Sequence, residues 1–229
     1  MVAAPEHAER NLATLLSNGE LRDEAVPQLR ATLAALEAES ERAGSPLAGI
    51  VDASRVGLMG HSAGGGAIGA LVDADDFGVG AWVGLATIAV PEAEVPGLIM
   101  AGTHDQLAVP ETVERNYEDL AHDQKRYLSI AGAGHLAFSD ICTIGREQGG
   151  VLQIARDAGI EISDLVLTLA SDGCRPEDLP AEEAWPLIRH YATAHFRAAL
   201  IDEAASPTGL EPESTTCFDE RVATYRSAE

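Results

Sequence analysis

The chain has 229 residues, 46% of them hydrophobic, which is enough to bury one good core and requires no second domain. Acidic residues outnumber basic ones 37 to 15, the formal net charge is −22, and Lys125 is the only lysine. Such a surface repels phosphate backbones and anionic lipids, so nucleic-acid and membrane binding are not expected; the charge serves solubility, or life in high salt.

Residues 1–5, Met-Val-Ala-Ala-Pro, read as the end of a strand, followed by a polar loop through Asn18-Gly19. Residues 1–10 lack the basic start and apolar run of a secretory signal, so the chain as encoded is expected to stay inside the cell unless it is trimmed from a longer precursor. A helix is predicted from Asp23, because Val26, Leu29, Leu33 and Leu36 recur at helical spacing; Gly44 and Ser45-Pro46 close it. Its apolar stripe is expected to lie on a sheet. Next comes a short apolar strand, Val56-Gly57-Leu58-Met59-Gly60, a tight turn, and a helix of small residues over 63–71.

The uncharged stretch from Phe77 is too short and too broken by glycine for a membrane-crossing helix of about 20 residues. Within it, residues 81–90 are continuously apolar, as in a strand covered on both faces of a parallel sheet. A second such strand, residues 97–102, follows six residues later, yet a parallel crossover normally needs about ten or more. Part of 81–90 is therefore not strand, or the two strands are not neighbours joined by a helix. A helix over 111–121 and a strand over 126–130 follow. The alternation implies an α/β fold, a mostly parallel sheet flanked by helices.

Beyond His135, helices are predicted over 150–158, 162–170 and 184–201, the last with Leu187, Ile188, Tyr191, Ala194, Ala198 and Ile201 on one face. Residues 205–229 are polar, contain Pro207, Gly209 and Pro212, and read as a surface tail of a single domain spanning 1–229.

Gly60-His61-Ser62-Ala63-Gly64 fits G-x-S-x-G between a strand and a helix, where a strained turn lifts a serine hydroxyl clear of a sheet. Small neighbours such as Gly60 and Gly64 let strand and helix approach. The helix N-terminus supplies free N–H groups and a partial positive charge that favour an oxyanion. Serine needs a base, and the base an orienting carboxylate, in the order Ser, Asp, His after strand ends. Asp105 follows the strand 97–102, and His135 follows the strand 126–130 in the glycine-containing turn Ala131-Gly132-Ala133-Gly134-His135. Ser62, Asp105 and His135 are thus expected to converge on one sheet edge as nucleophile, acid and base.

The stretches 55–71 and 98–109, with Gly132-Ala133-Gly134-His135-Leu136-Ala137-Phe138, resemble the α/β-hydrolase superfamily, most closely its dienelactone-hydrolase-like, cutinase-like and lipase-like esterases. The resemblance covers about residues 1–140 and the helix near 185–201. It implies the same roles for Ser62, Asp105 and His135, with the Ala63 N–H as one oxyanion donor. Dienelactone hydrolases use a cysteine nucleophile, so Ser62 points to the esterase side. In these hydrolases several strands and an oxyanion loop precede the strand that residues 1–5 resemble, so the fold is expected to be N-terminally shortened, without the usual second donor. Losing one donor costs about 10²- to 10³-fold in rate. The expected function is hydrolysis of a small or moderately sized carboxylic ester through an acyl-Ser62 intermediate, with no metal or organic cofactor. The rival reading is a weak or inactive shortened hydrolase fold acting as a binding or assembly module. The strand Val56–Gly60 is expected to be open on one side, to be repaired either by residues 1–5 sliding in beside it or, the favoured outcome, by a second copy of the chain docking edge to edge. Residues 139–178 are expected to form a helical insert near the active-site edge, the source of any lid.

Other signals are weaker. Gly64-Gly65-Gly66-Ala67-Ile68-Gly69 satisfies G-x-G-x-x-G, but His61-Ser62-Ala63 separate it from the strand end. His190 and His195, five apart, are too far round a helix to share a metal and read as a surface and a packed histidine. His61 and His104 read as turn residues lining the cleft. Cys142 and Cys174 bracket the insert, either as a disulfide in an exported protein or as two packed thiols; Cys217 is the third cysteine.

Overall fold

The structure, a computed structural model, describes residues 18–74, 77–201 and 209–228. The strand expected over residues 1–5 lies outside them. Five strands, β1 (Val56–His61), β2 (Val79–Leu85), β3 (Gly97–Gly102), β4 (Lys125–Ile130) and β5 (Val222–Ser227), form one sheet in the order β1-β2-β3-β4-β5. The first four run parallel, and β5 pairs antiparallel with β4. Among the described residues, β1 pairs with β2 alone.

Every residue of β3 is buried, as its unbroken apolar sequence demands for a central parallel strand. β2 and β3 are parallel neighbours, and the short gap is resolved by ending β2 at Leu85: residues 86–96 cross over without a helix. Two helices cover opposite faces of β1, α2 (Ala63–Asp73) and α6 (Ala181–Leu200). Side chains alternate along a strand, and the two glycines of β1 report the two faces. A Cβ on Gly57 would stand 2.8 Å from the Phe196 ring of α6, and one on Gly60 would stand 2.9 Å from Ile68 of α2. α3 (Pro110–Asp119) packs on β3 and β4.

Three expectations need correction. α1 (Asn18–Glu41) starts five residues before Asp23 and packs against α2, not on the sheet. α2 already occupies the face of β1 and β2, so α1 packs on a helix instead, with Val26, Leu29, Leu33 and Leu36 half-buried. The polar C-terminal tail is, over its described part, a 3-10 stretch (Pro212–Arg221) and the edge strand β5. An edge strand with one face partly in water carries too few apolar residues to announce itself.

The region 139–178 contains two short helices, α4 (Gly150–Asp157) and α5 (Asp164–Leu169), joined by 3-10 turns and loops. Its two ends are tied by a disulfide between Cys142 and Cys174, while Cys217 is free and exposed. No helix among the described residues is long and apolar enough to cross a membrane.

Candidate active site

β1 runs into α2 through Ser62, whose φ of 55° and ψ of −118° lie in a region that residues with a side chain rarely enter. The turn is held by hydrogen bonds from the Ser62 N–H to the Leu85 oxygen and from the Gly65 N–H to the Ser62 oxygen, both 2.9 Å. A Cβ on Gly60 would fall 2.6 Å from the Gly64 backbone, so this position requires glycine. Gly64 does not share that role: a Cβ there meets open space, and it is Gly65 that packs tightly, 2.5 Å from Thr87. The G-x-G-x-x-G run falls inside α2 rather than in a loop leading to it.

Asp105 follows β3 and is buried, with Oδ1 accepting the Leu107 and Ala108 N–H groups at 2.8 and 2.7 Å. His135 opens a single 3-10 turn, His135–Phe138, after β4 and is also buried. Its Nδ1 lies 3.0 Å from Asp105 Oδ2, and its Nε2 lies 2.8 Å from Ser62 Oγ. A carboxylate can only accept, so Nδ1 carries a proton, and in the neutral ring with that proton Nε2 accepts from the Ser62 hydroxyl. The structure brings together the three residues singled out in the sequence, from the C-terminal ends of β1, β3 and β4. Ala63 lines the same cleft of about 160 Å³, with Gly66, Ala86, Thr87 and Ile88 among its walls. The Ala63 N–H belongs to the first turn of α2, where helical N–H groups have no partner within the helix.

The family model described as PET hydrolase-like matches residues 16–148, more than half of the chain and the whole of this constellation. The chain belongs to the PET hydrolase-like family. Its membership supports hydrolysis of esters and agrees with the mostly parallel sheet of an α/β-hydrolase fold. No curated protein matches the chain.

Four hydrogen bonds around this PET hydrolase-like site were not foreseen. The Nε2–H of His61 donates to the backbone oxygen of His135 at 2.9 Å, so His61 does more than line a turn. Burial, and then the neighbouring His135, push its pKa down to about 4, which keeps the ring neutral. His104 Nδ1 lies 3.1 Å from the buried Asp178 carboxylate. Asp172, fully buried, accepts N–H groups from both the Asp105 and the His135 loops. Only tertiary contact reveals these partners, which lie 37 to 74 positions apart in the chain.

His195 is fully buried as expected, whereas His190 is half-buried and its Nε2–H donates to the Gly209 oxygen at 2.9 Å. None of the insert's described residues lines the Ser62 cleft. The returning end of the insert contacts the Asp105 and His135 loops through Asp172 and Asp178. Among the described residues no cluster of three or more His, Cys, Asp or Glu could hold a metal ion.

Proposed function

We propose that this chain hydrolyses small carboxylic esters through an acyl-Ser62 intermediate. The observation that carries the reading is the continuous hydrogen-bonded line from Ser62 Oγ through the His135 ring to Asp105, with distances of 2.8 and 3.0 Å. His135 Nε2 can take the Ser62 proton and pass it to the leaving alcohol while Asp105 holds the ring in place.

As Ser62 Oγ bonds to the ester carbonyl carbon, its proton passes to His135 Nε2 and the carbonyl electron pair moves onto oxygen. That oxyanion faces the N-terminus of α2, where the Ala63 N–H donates. The imidazolium is stabilised by Asp105, whose other hydrogen bonds hold the carboxylate still. Collapse re-forms the carbonyl, breaks the bond to the alkoxy oxygen, and sends the alcohol away with the proton from His135. Water then gives a proton to His135 and attacks the acyl carbon; the acid departs as Ser62 Oγ recovers the proton. The Ala and Gly walls of the cleft and its volume of about 160 Å³ favour a small acyl group.

Treatment with a fluorophosphonate tests this directly. Covalent labelling of the wild type that is lost in Ser62→Ala is the expected result. A folded wild type that takes no label under any condition overturns the enzyme reading in favour of a binding module.

A further inference from the structure

Asp172 is a fully buried carboxylate for which the proposed chemistry has no use. Burying a charge costs several kcal/mol unless strong hydrogen bonds replace water, so its partners are informative. Oδ1 accepts the backbone N–H of His135 at 3.2 Å, and Oδ2 accepts the backbone N–H of Gln106, the residue after Asp105, at 2.9 Å. The Asp172 backbone oxygen also accepts the Leu136 N–H at 2.8 Å. One side chain therefore spans the two loops whose tips carry the acid and the base.

The sheet fixes only the roots of these loops, through the pairing of Gly102 with Ile130 at the ends of β3 and β4. Beyond that rung the loops are joined by the Thr103 N–H to the Ile130 oxygen at 3.0 Å, the His104 N–H to the Ala133 oxygen at 2.9 Å and the Gly132 N–H to Thr103 Oγ1 at 2.8 Å. Asp105 and His135 stand past these bonds, and there Asp172 is the link between the two loops. The segment carrying Asp172 is itself held firmly. Cys174 is tied to Cys142, and Asp178 Oδ2 accepts the Gly173 and Arg175 N–H groups at 3.0 and 3.2 Å. The fit against the His135 loop is close: a Cβ on Gly134 would stand 2.4 Å from the Gly173 nitrogen and 2.6 Å from Asp172 Oδ1. Two N–H donors converging from different loops suit a carboxylate, which offers acceptors on both oxygens. An amide of the same shape turns one of them into a donor.

We propose that Asp172 is a positioning residue, clamping the Asp105 and His135 loops at the separation that their side-chain hydrogen bond needs. The proposal rests on the ester-hydrolase reading for its consequence in rate, though not for the clamp itself. A misplacement of about 1 Å between reacting groups can cost about 10²-fold, so a few tenths of an ångström at these tips is enough to matter.

The test uses the full chain with Asp172→Asn and Asp172→Ser, and Arg146→Ala as a control that cuts the Arg146–Glu182 ion pair on the outer side of the insert. Two readouts are needed: kcat and KM on p-nitrophenyl acetate, and the low-field proton resonance of His135 Nδ1–H in its bond to Asp105. In a folded Asp172 variant kcat should fall roughly 10- to 100-fold with KM within about threefold, and the resonance should move or vanish. Arg146→Ala should change neither. A folded variant with kcat within about twofold of wild type and an unmoved resonance overturns the proposal, as does an equal loss in Arg146→Ala. Should the wild type turn over no ester, the function reading fails alone and the resonance still decides the clamp. Should neither variant fold, amide exchange in the wild type decides: slow exchange at Gln106 and His135 supports the clamp, and exchange at free-loop rates overturns it.

Discussion

The Nε2 atom of His61 lies 2.9 Å from the backbone oxygen of His135, joining two residues 74 positions apart in the chain. The rings are neighbours as well, with centroids 4.8 Å apart. The carbonyl can only accept, so Nε2 carries the donor proton, and that proton is kept whether the ring is neutral or charged. His61→Ala leaves a poorly solvated carbonyl without this donor, and should cost about 1–3 kcal/mol in stability together with a loss of turnover. His61→Gln, which can still donate, should retain more of both. Thermal melts and ester turnover on the two variants check this; equal behaviour of Ala and Gln would remove the hydrogen bond from the account.

Asp105→Asn should lower kcat by about 10⁴-fold with little change in melting temperature. The amide oxygen can still accept the Leu107 and Ala108 N–H groups, so the turn survives. The amide nitrogen then faces His135 Nδ1 and donates to it, which moves the ring proton to Nε2. In that tautomer the ring cannot take the Ser62 proton. Steady-state kinetics beside a thermal melt separate this from unfolding.

Gly60→Ala should unfold or badly destabilise the strand-to-helix turn, by more than the roughly 1–3 kcal/mol of ordinary overpacking, because the obstruction is the Gly64 backbone. Gly64→Ala should be tolerated, and should gain about 0.5–1 kcal/mol from lower chain entropy within α2. Denaturant midpoints for the pair give the answer. A stable Gly60→Ala protein that still labels at Ser62 would contradict the geometry of the turn.

Acid should destabilise the fold from about pH 6.5 down to about pH 4. Burial holds His61 and His195 at about 4 in the fold, against 6.5 for an ordinary histidine; His135 adds to the effect at His61 and Arg126 at His195. Between those two values the unfolded chain binds protons that the folded chain refuses. Stability is therefore complete above pH 6.5 and declines as the pH falls towards 4, by an amount on the order of a few kcal/mol. Melting temperatures at stepped pH should follow this course, and His195→Gln should flatten part of the slope.

Salt should raise the melting temperature. With a formal net charge of −22, folding concentrates like charges, and ionic strength rising from about 0.05 to about 1 M screens their repulsion. The exposed ion pairs, such as Arg146–Glu182 and Arg221–Glu183, weaken under the same conditions but contribute little to begin with. A melting temperature that falls with sodium chloride would mean that the pairs outweigh the net charge.

The line of Ser62, Asp105 and His135 was legible because each residue follows the end of a predicted strand, and strand ends in a parallel sheet share an edge. β4, Lys125-Arg-Tyr-Leu-Ser-Ile, is half polar and is read from its place between a helix and a glycine-containing turn, whereas the strands β1 and β3 and the helices α2 and α6 announce themselves by apolar runs and helical spacing. β5 does not, since Val222-Ala-Thr-Tyr-Arg-Ser is short, half-polar and paired on one side only. The partner of α1 was also hidden: an apolar stripe declares that it will be buried, not what will bury it. Asp172 carries no local signal at all. In sequence it is one acidic residue among 37, and only the arrival of two N–H groups from loops 37 and 66 positions away gives it meaning.

The position of β5 bears on how the chain leaves the ribosome. β4 is complete at Ile130, yet the strand that covers its outer edge is Val222–Ser227. At roughly 5–20 residues per second, β4 waits on the order of ten seconds with its edge bare, while the insert and α6 are still being made. During that interval the nascent chain presents a sheet edge that a neighbouring copy on the same message could pair with, so slow translation through residues 131–221 should favour aggregation over yield.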